Sequence, residues 1–83
     1  MKVLYFAWLR QRVGLAEETV EVPGDVATVA ALLTWLRQRS DAHATALADL
    51  SVVRVAVNQE YARDEDPVAN DDEVALFPPV TGG

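Results

Sequence analysis

One segment near the middle of the chain has the apolar spacing of an amphipathic helix, and it constrains the fold more than any other feature. Its apolar residues recur at positions i, i+3, i+4 and i+7, namely Val29, Leu32, Leu33 and Leu36. Thr28 precedes them and can cap the first turn through its hydroxyl. The chain has only 83 residues and no second strong helical pattern. The other elements must therefore bury this one stripe in a single small core.

Alternating apolar residues before the helix predict a β-hairpin. The run from Val3 to Leu9 is apolar at both alternating sets of positions. As a strand it would present one apolar face to the core and a second face that another protein must cover. We expect Gly14 to turn this strand back towards residues 19–22, where the alternation of apolar and polar residues is typical of a half-exposed edge strand.

The second half of the chain predicts three more strands. Residues 52–59 are β-branched and alternating, which is typical of a central strand. A turn then leads to a short strand at Tyr61, and residues 73–77 form the last strand. Residues 42–50 fit either a short helix or an ordered loop. The order strand, strand, helix, strand, short strand, strand predicts an α+β domain with one main helix packed across one face of a mixed sheet.

Charge and composition exclude several classes of partner and site. The net charge is −6, which argues against nucleic acid or an anionic membrane and favours a basic protein partner. Seven of the thirteen acids lie between Glu60 and Glu73, and they form either a solvated loop or a docking site.

With no cysteine and with His43 as the single histidine, we expect no metal site. The apolar run at residues 3–9 is too short for a membrane span and lacks an export cleavage signal, so we expect a cytoplasmic protein.

The chain ends in a segment that should leave the fold, Phe77-Pro78-Pro79-Val80-Thr81-Gly82-Gly83. Its two prolines cannot donate ladder hydrogen bonds and favour an extended backbone, so the last strand should end at Phe77. Its two glycines lack Cβ, so a partner's narrow channel can close around the backbone and leave the terminal carboxylate accessible. We therefore expect a domain at residues 1–77 and an extended tail at residues 78–83. A frayed chain end is the alternative.

Residues 72–83 resemble the ending of the MoaD-type sulfur carriers, the small subunits of molybdopterin synthase, within the ubiquitin-like ThiS/MoaD family. The opening residues 2–7 and the Val-Asn-Gln at residues 57–59 are similar to the same family, so the resemblance covers nearly the whole chain. It implies a ubiquitin-like β-grasp fold. A Gly-Gly ending alone would be less specific, because thiamine-pathway sulfur carriers and ubiquitin-like modifiers share it.

The resemblance also implies a function as a sulfur carrier. A ubiquitin-activating-like adenylyltransferase of the MoeB type would use ATP to adenylate the Gly83 carboxylate, and a sulfide equivalent would displace AMP to leave a thiocarboxylate. The MoaE-type large subunit would then receive this group and transfer its sulfur to the pyranopterin precursor of the molybdenum cofactor, within a heterotetramer. The segment threaded into the large subunit would comprise Pro78, Pro79, Val80, Thr81 and Gly82. The chain itself would bind no cofactor and supply no catalytic acid, base or nucleophile.

The partner interface is expected on the uncovered face of the predicted sheet, with Phe6, Trp8, Tyr61 and Phe77 as its contact residues. A flat sheet face with exposed aromatics suits protein docking better than a small-molecule pocket.

Three alternative functions stay open: a sulfur carrier for thiamine or tungsten-cofactor synthesis, a ubiquitin-like modifier conjugated to lysines, and an interaction module with an inert tail. Trapping the partner would distinguish them.

Overall fold

The computed structural model describes residues 1–79 of the chain. The sites predicted at Val80, Thr81, Gly82 and Gly83 lie outside the described residues. Residues 1–79 form β1 (Lys2–Tyr5), α1 (Ala7–Val13), β2 (Glu17–Thr19), α2 (Val29–Arg37), α3 (Asp41–Ala46), a 3-10 turn (Leu50–Val52), β3 (Arg54–Val57), β4 (Glu60–Ala62) and β5 (Glu73–Phe77). Within this part of the chain, none of the helices has the length and apolar character needed to cross a membrane.

The five strands form one mixed sheet with the order β2-β1-β5-β3-β4. β1 and β5 run parallel, and Val3 lies opposite Val74 in their register. The other neighbouring pairs are antiparallel, including β3 with β5, where Arg54 lies opposite Phe77. The expected α+β architecture with a mixed sheet and a main helix is confirmed.

The helix predicted from the apolar stripe is confirmed as α2. Its four stripe residues are all buried, and the Thr28 side chain accepts a hydrogen bond from the backbone N–H of Ala31 at 3.2 Å, as expected of an N-cap. The stripe packs against the inward residues of the sheet, which include the fully buried Val3, Tyr5, Val74 and Leu76. This core holds the sheet in place and leaves its opposite face for other contacts.

The strand predicted from Val3 to Leu9 is wrong beyond Tyr5. Phe6 is still extended, but Ala7 has a φ of 54°, and the chain turns there into α1. Leu9 and Val13, four residues apart, are the buried positions of this short helix. Gly14 therefore ends a helix instead of turning a hairpin: it has a φ of 88°, and its N–H donates to the carbonyl of Arg10 at 2.9 Å.

The second half of the chain agrees more closely with the sequence pattern. The last strand has the predicted bounds, and its inward residues are buried as expected. The strand predicted at residues 52–59 is shorter, because its first residue lies in the 3-10 turn and Asn58 and Gln59 have positive φ values of 51° and 70° in the hairpin turn. β3 is an interior strand, but β5 occupies the centre of the sheet. Residues 42–50, left open between helix and loop, contain most of α3, which Ser40 caps.

Candidate functional site

The outward face of the sheet carries aromatic side chains at the end where β5 finishes. Tyr61 is 81% exposed and Phe77 is half-buried, and their ring centroids lie 5.8 Å apart. Phe6 is 47% exposed, and its N–H donates to the carbonyl of Leu76 at 3.1 Å, so it continues the β1 ladder by one residue beside Phe77. We call Phe6, Tyr61 and Phe77 the aromatic surface. Exposed aromatics grouped in this way are typical of protein interfaces.

Two more exposed apolar side chains lie at the same end of the sheet. Leu15 is exposed and directly precedes Ala16, whose carbonyl accepts a hydrogen bond from the N–H of Tyr5 at 2.9 Å. Val52 is exposed and comes two residues before Arg54, the cross-strand partner of Phe77. The sequence analysis proposed neither residue for the interface: Leu15 was outside the predicted strands, and Val52 was expected to begin the strand at residues 52–59.

Trp8 does not share the outward face of the sheet, contrary to the strand predicted for it. It lies in α1 and is half-buried against the core, with the guanidinium carbon of Arg12 4.7 Å from its ring centroid. The placement was wrong because it depended on β1 continuing to Leu9. The partner contact expected of Trp8 stays a prediction, made now for a helix surface.

The tail begins beside the aromatic surface. β5 ends at Phe77 as predicted, and the half-buried Pro78 and Pro79 follow it without regular secondary structure. The remaining residues of the expected tail lie outside the described part of the chain. The described chain therefore leaves the sheet at the end that carries the aromatic side chains.

Part of the acidic segment serves local turns. An oxygen of Asp66 accepts a hydrogen bond from the N–H of Arg63 at 2.9 Å. Asp72 accepts from the N–H of Ala69 at 2.8 Å through one oxygen and from the side-chain amide of Asn58 at 2.9 Å through the other. These carboxylates replace backbone acceptors in turns, which favours a structural role for them. The exposed acids of the segment are Glu60, Asp64, Glu65 and Asp71.

A buried polar network, which the sequence analysis missed, joins β1, β2 and α3. The Tyr5 hydroxyl donates to Glu18 Oε2 at 2.6 Å, and His43 Nε2 donates to the same oxygen at 2.7 Å. Ser40 Oγ lies 2.7 Å from His43 Nδ1, and Arg39 reaches Glu18 Oε1 at 3.5 Å. His43 is thus a hydrogen-bonded core residue. The sequence signal that could have predicted this network was Tyr5 on the inward face of β1, because a buried hydroxyl needs a hydrogen-bond partner.

This network shifts the pKa values of two of its members. Burial is the largest influence on Glu18 and would raise its pKa, but the hydrogen bonds from Tyr5 and His43 and the charges of His43 and Arg39 together lower it. Burial, with the hydrogen bond to Glu18, raises the pKa of Tyr5 well above its ordinary value. The network therefore favours an ionised carboxylate and a neutral phenol.

Acid should weaken the fold through this carboxylate. Because the pKa of Glu18 is lower in the folded than in the unfolded chain, its contribution is present above the ordinary value of 4.5 and is lost as pH falls through the folded-state pKa. We expect the free energy of unfolding to fall more steeply between pH 7 and roughly pH 3 for the natural chain than for Glu18→Gln. Urea unfolding at each pH measures this, with Glu21→Gln at an exposed position as the control. Equal slopes for the natural chain and Glu18→Gln would contradict the assignment.

Comparisons with known proteins agree with one another. Residues 3–83 match the model of the ThiS family. The chain is 45% identical over 83 residues to the molybdopterin synthase sulfur carrier subunit of Escherichia coli (strain K12), covering 100% of this chain and 99% of that one. It is similar to the solved putative molybdopterin converting factor, subunit 1, from Pyrococcus furiosus, with 33% identity, a TM-score of 0.79 and coverage of 95% of each chain. It is also similar to SAMP1 from Haloferax volcanii, with 36% identity, a TM-score of 0.75 and coverage of 100% of this chain and 98% of that one.

Proposed function

Because the chain belongs to the ThiS family, we propose that it is the sulfur-carrying small subunit of a molybdopterin synthase. The observation that carries the proposal is the full-length likeness to the Escherichia coli sulfur carrier subunit, in a chain whose last strand ends beside an aromatic surface and whose sequence then reads to Gly82-Gly83. The structural likeness to a subunit of a molybdopterin converting factor supports it. The chain then acts as a covalent co-substrate of its partners.

The chemistry takes place at the carboxylate of Gly83. A carboxylate oxygen attacks the α-phosphorus of ATP within an activating enzyme of the MoeB type, which releases pyrophosphate and forms an acyl adenylate. A sulfide equivalent then attacks the acyl carbon and AMP leaves, so the terminal group becomes a thiocarboxylate. The absence of cysteine from this chain means that the incoming sulfur must be presented by a partner. ATP belongs to that partner, and this chain holds no cofactor of its own.

Docking and delivery of the thiocarboxylate use two different parts of the chain, the aromatic surface and the tail. The aromatic surface docks on the large subunit, a MoaE-type protein, while the tail enters the active site of that subunit. An extended segment of six residues spans at most roughly 20 Å, which sets the distance between the docked sheet and the reacting carbon. The thiocarboxylate sulfur displaces an oxygen substituent from the pyranopterin precursor there, and water then cleaves the acyl–sulfur bond and restores the Gly83 carboxylate. Two such transfers build the dithiolene within a heterotetramer. The acids and bases of the transfer belong to the large subunit.

Intact mass spectrometry tests this function directly. The purified chain is incubated with an activating enzyme, ATP and a sulfide source, and the mass is expected to report replacement of one terminal oxygen by sulfur. Reactions without ATP should leave the mass unchanged, because the carboxylate is then a poor acyl electrophile. An unmodified mass in the complete reaction, with a known sulfur carrier converted in parallel, would contradict the proposal.

A ubiquitin-like modifier is the second candidate. A further solved structure from Haloferax volcanii, the small archaeal modifier protein 1, is 33% identical to this chain, with a TM-score of 0.68 and coverage of 96% of this chain and 97% of that one. Modification and sulfur transfer both begin with an acyl adenylate and differ in the nucleophile that follows. A modifier would appear in cells joined through Gly83 to lysines of other proteins, as conjugates that retain residues 64–83 after cleavage at Arg63, whereas a dedicated carrier would form none.

A further inference from the structure

Arg54 lies at the point where the aromatic surface meets the start of the tail. It is exposed, opens β3 and pairs across the sheet with Phe77. Together with Val55, Tyr61, Ala62 and Phe77 it lines a surface groove of about 340 Å³. Arg54 thus places a positive charge directly beside the aromatic surface of a chain whose net charge is −6.

The chain itself holds the guanidinium of Arg54 in position. Its Nη1 donates to the backbone carbonyl of Ser51 at 3.0 Å and lies 3.4 Å from that of Val53. Both contacts use the same nitrogen, so the edge formed by Nε and Nη2 makes no hydrogen bond within residues 1–79. Nor does any carboxylate among these residues lie within 4 Å of Arg54. That edge carries parallel N–H groups, the arrangement that binds the two oxygens of a carboxylate.

The other cation on the strands of this face is already paired. Lys2 pairs with Glu73 at the opposite end of the sheet from Phe77, and its ammonium lies 3.2 Å from the carboxylate of Glu17 on β2. Arg54 therefore differs from Lys2 in two ways: its orientation is fixed by backbone carbonyls, and the described chain supplies it with no counterion. An arginine held in place beside exposed aromatic side chains is a common anchor in protein interfaces, where it adds specificity for a charged group of the partner.

We propose that Arg54 is a specificity residue of the docking surface, which receives a carboxylate side chain of the large subunit in a bidentate pair next to the contact made by Phe77. The inference rests on the proposed function, because it takes the large subunit as the occupant of the aromatic surface. Docking of apolar groups around the pair excludes water from it, which strengthens the hydrogen bonds beyond those of an exposed ion pair. The partner surface that fits this site is apolar with a carboxylate at its edge.

Affinity measurements with three variants test the inference. The natural chain, Arg54→Gln, Arg54→Lys and Arg37→Gln are titrated against the purified large subunit by calorimetry, and circular dichroism melts establish that each chain is folded. Arg37 is an exposed arginine at the end of α2, so Arg37→Gln matches the change in net charge away from the groove. We expect Arg54→Gln to raise Kd by about 10- to 100-fold and Arg37→Gln to leave it unchanged. Arg54→Lys should also bind weakly, since lysine keeps the positive charge but lacks the two parallel N–H groups of the guanidinium.

Each other outcome overturns the inference. Unchanged Kd for Arg54→Gln would show that no partner group meets the arginine, and equal losses for Arg54→Gln and Arg37→Gln would indicate a general charge effect. Natural affinity in Arg54→Lys would exclude a bidentate pair. Tighter binding by Arg54→Gln would mean that Arg54 holds the chain's own terminal carboxylate. If the natural chain itself fails to bind the large subunit, the proposed function fails as well, and the two failures are thereby distinguished.

Discussion

Deleting Gly83 is expected to abolish sulfur transfer by this chain while leaving its melting temperature unchanged. The reaction needs an unhindered acyl group at one fixed distance from the docked sheet, and removal of one residue withdraws that group by roughly 3.3 Å. The buried residues of β5 end at Leu76, before the tail begins, so the truncation removes nothing from the core. Cofactor formation with the large subunit, the activating enzyme and ATP measures the activity, and a thermal melt measures the fold.

Two further chains make this result specific to the end of the tail. Adding one alanine after Gly83 should be as damaging as the deletion, because it places a side chain and an extra residue at the reacting position. Gly24→Ala is the matched control, since Gly24 is exposed and an added Cβ would meet no atom within 4 Å. Normal cofactor formation by the truncated chain would mean that the C-terminus carries no sulfur and that the chain is an interaction module.

Much of the fold follows from local patterns in the sequence. The stripe of α2 was decisive because four apolar residues on one helical face, preceded by a capping threonine, favour the same element for two independent reasons. β5 was equally well defined: Val74 and Leu76 alternate with less buried residues, and Pro78 ends the ladder. The family resemblance then specified the β-grasp order, which the periodicity of single segments does not contain.

The misassigned segment shows where local patterns fail. Residues 3–9 form a continuous apolar run, which suits a strand and a short helix equally well. The choice depends on Ala7, a residue with a positive φ of 54° that its side chain does not favour, so the tertiary structure must impose the turn there. Trp8 changed surfaces with that choice. Of the four residues predicted for the interface, the structure brings Phe6, Tyr61 and Phe77 to one end of the sheet.

Long-range contacts explain what else the sequence did not reveal. Glu18 and His43 are 25 residues apart in the sequence. They meet only because α3 packs on the face of the sheet to which the Glu18 side chain of β2 points. Arg54 and Phe77 meet through the antiparallel register of β3 and β5. Neither pair leaves a periodic or spacing signal in the chain. Features of this kind need the register of the sheet before they can be seen.

Phe77→Asp is expected to prevent stable binding to the large subunit while the isolated domain still folds. Phe77 is half-buried on the outward face, next to the start of the tail, where a docked partner must cover it. A central aromatic of this kind commonly carries about 2 kcal/mol or more of binding free energy, so its loss alone weakens binding by at least roughly thirtyfold. The new carboxylate would in addition lose its water in the interface, at a cost of several kcal/mol.

The isolated domain should lose much less than the complex. Its loss is mainly the contact between the Phe77 and Tyr61 rings, worth about 1 kcal/mol, which lowers the melting temperature by no more than roughly 10 °C for a domain of this size. Ala44→Asp adds the same charge at an exposed position of α3, away from the aromatic surface, and should bind like the natural chain. Calorimetric titration with the large subunit compares the three chains. If Phe77→Asp binds with natural affinity, the partner docks elsewhere. If Phe77→Asp unfolds without any partner present, Phe77 stabilises the core of the domain and is not a residue kept for the partner.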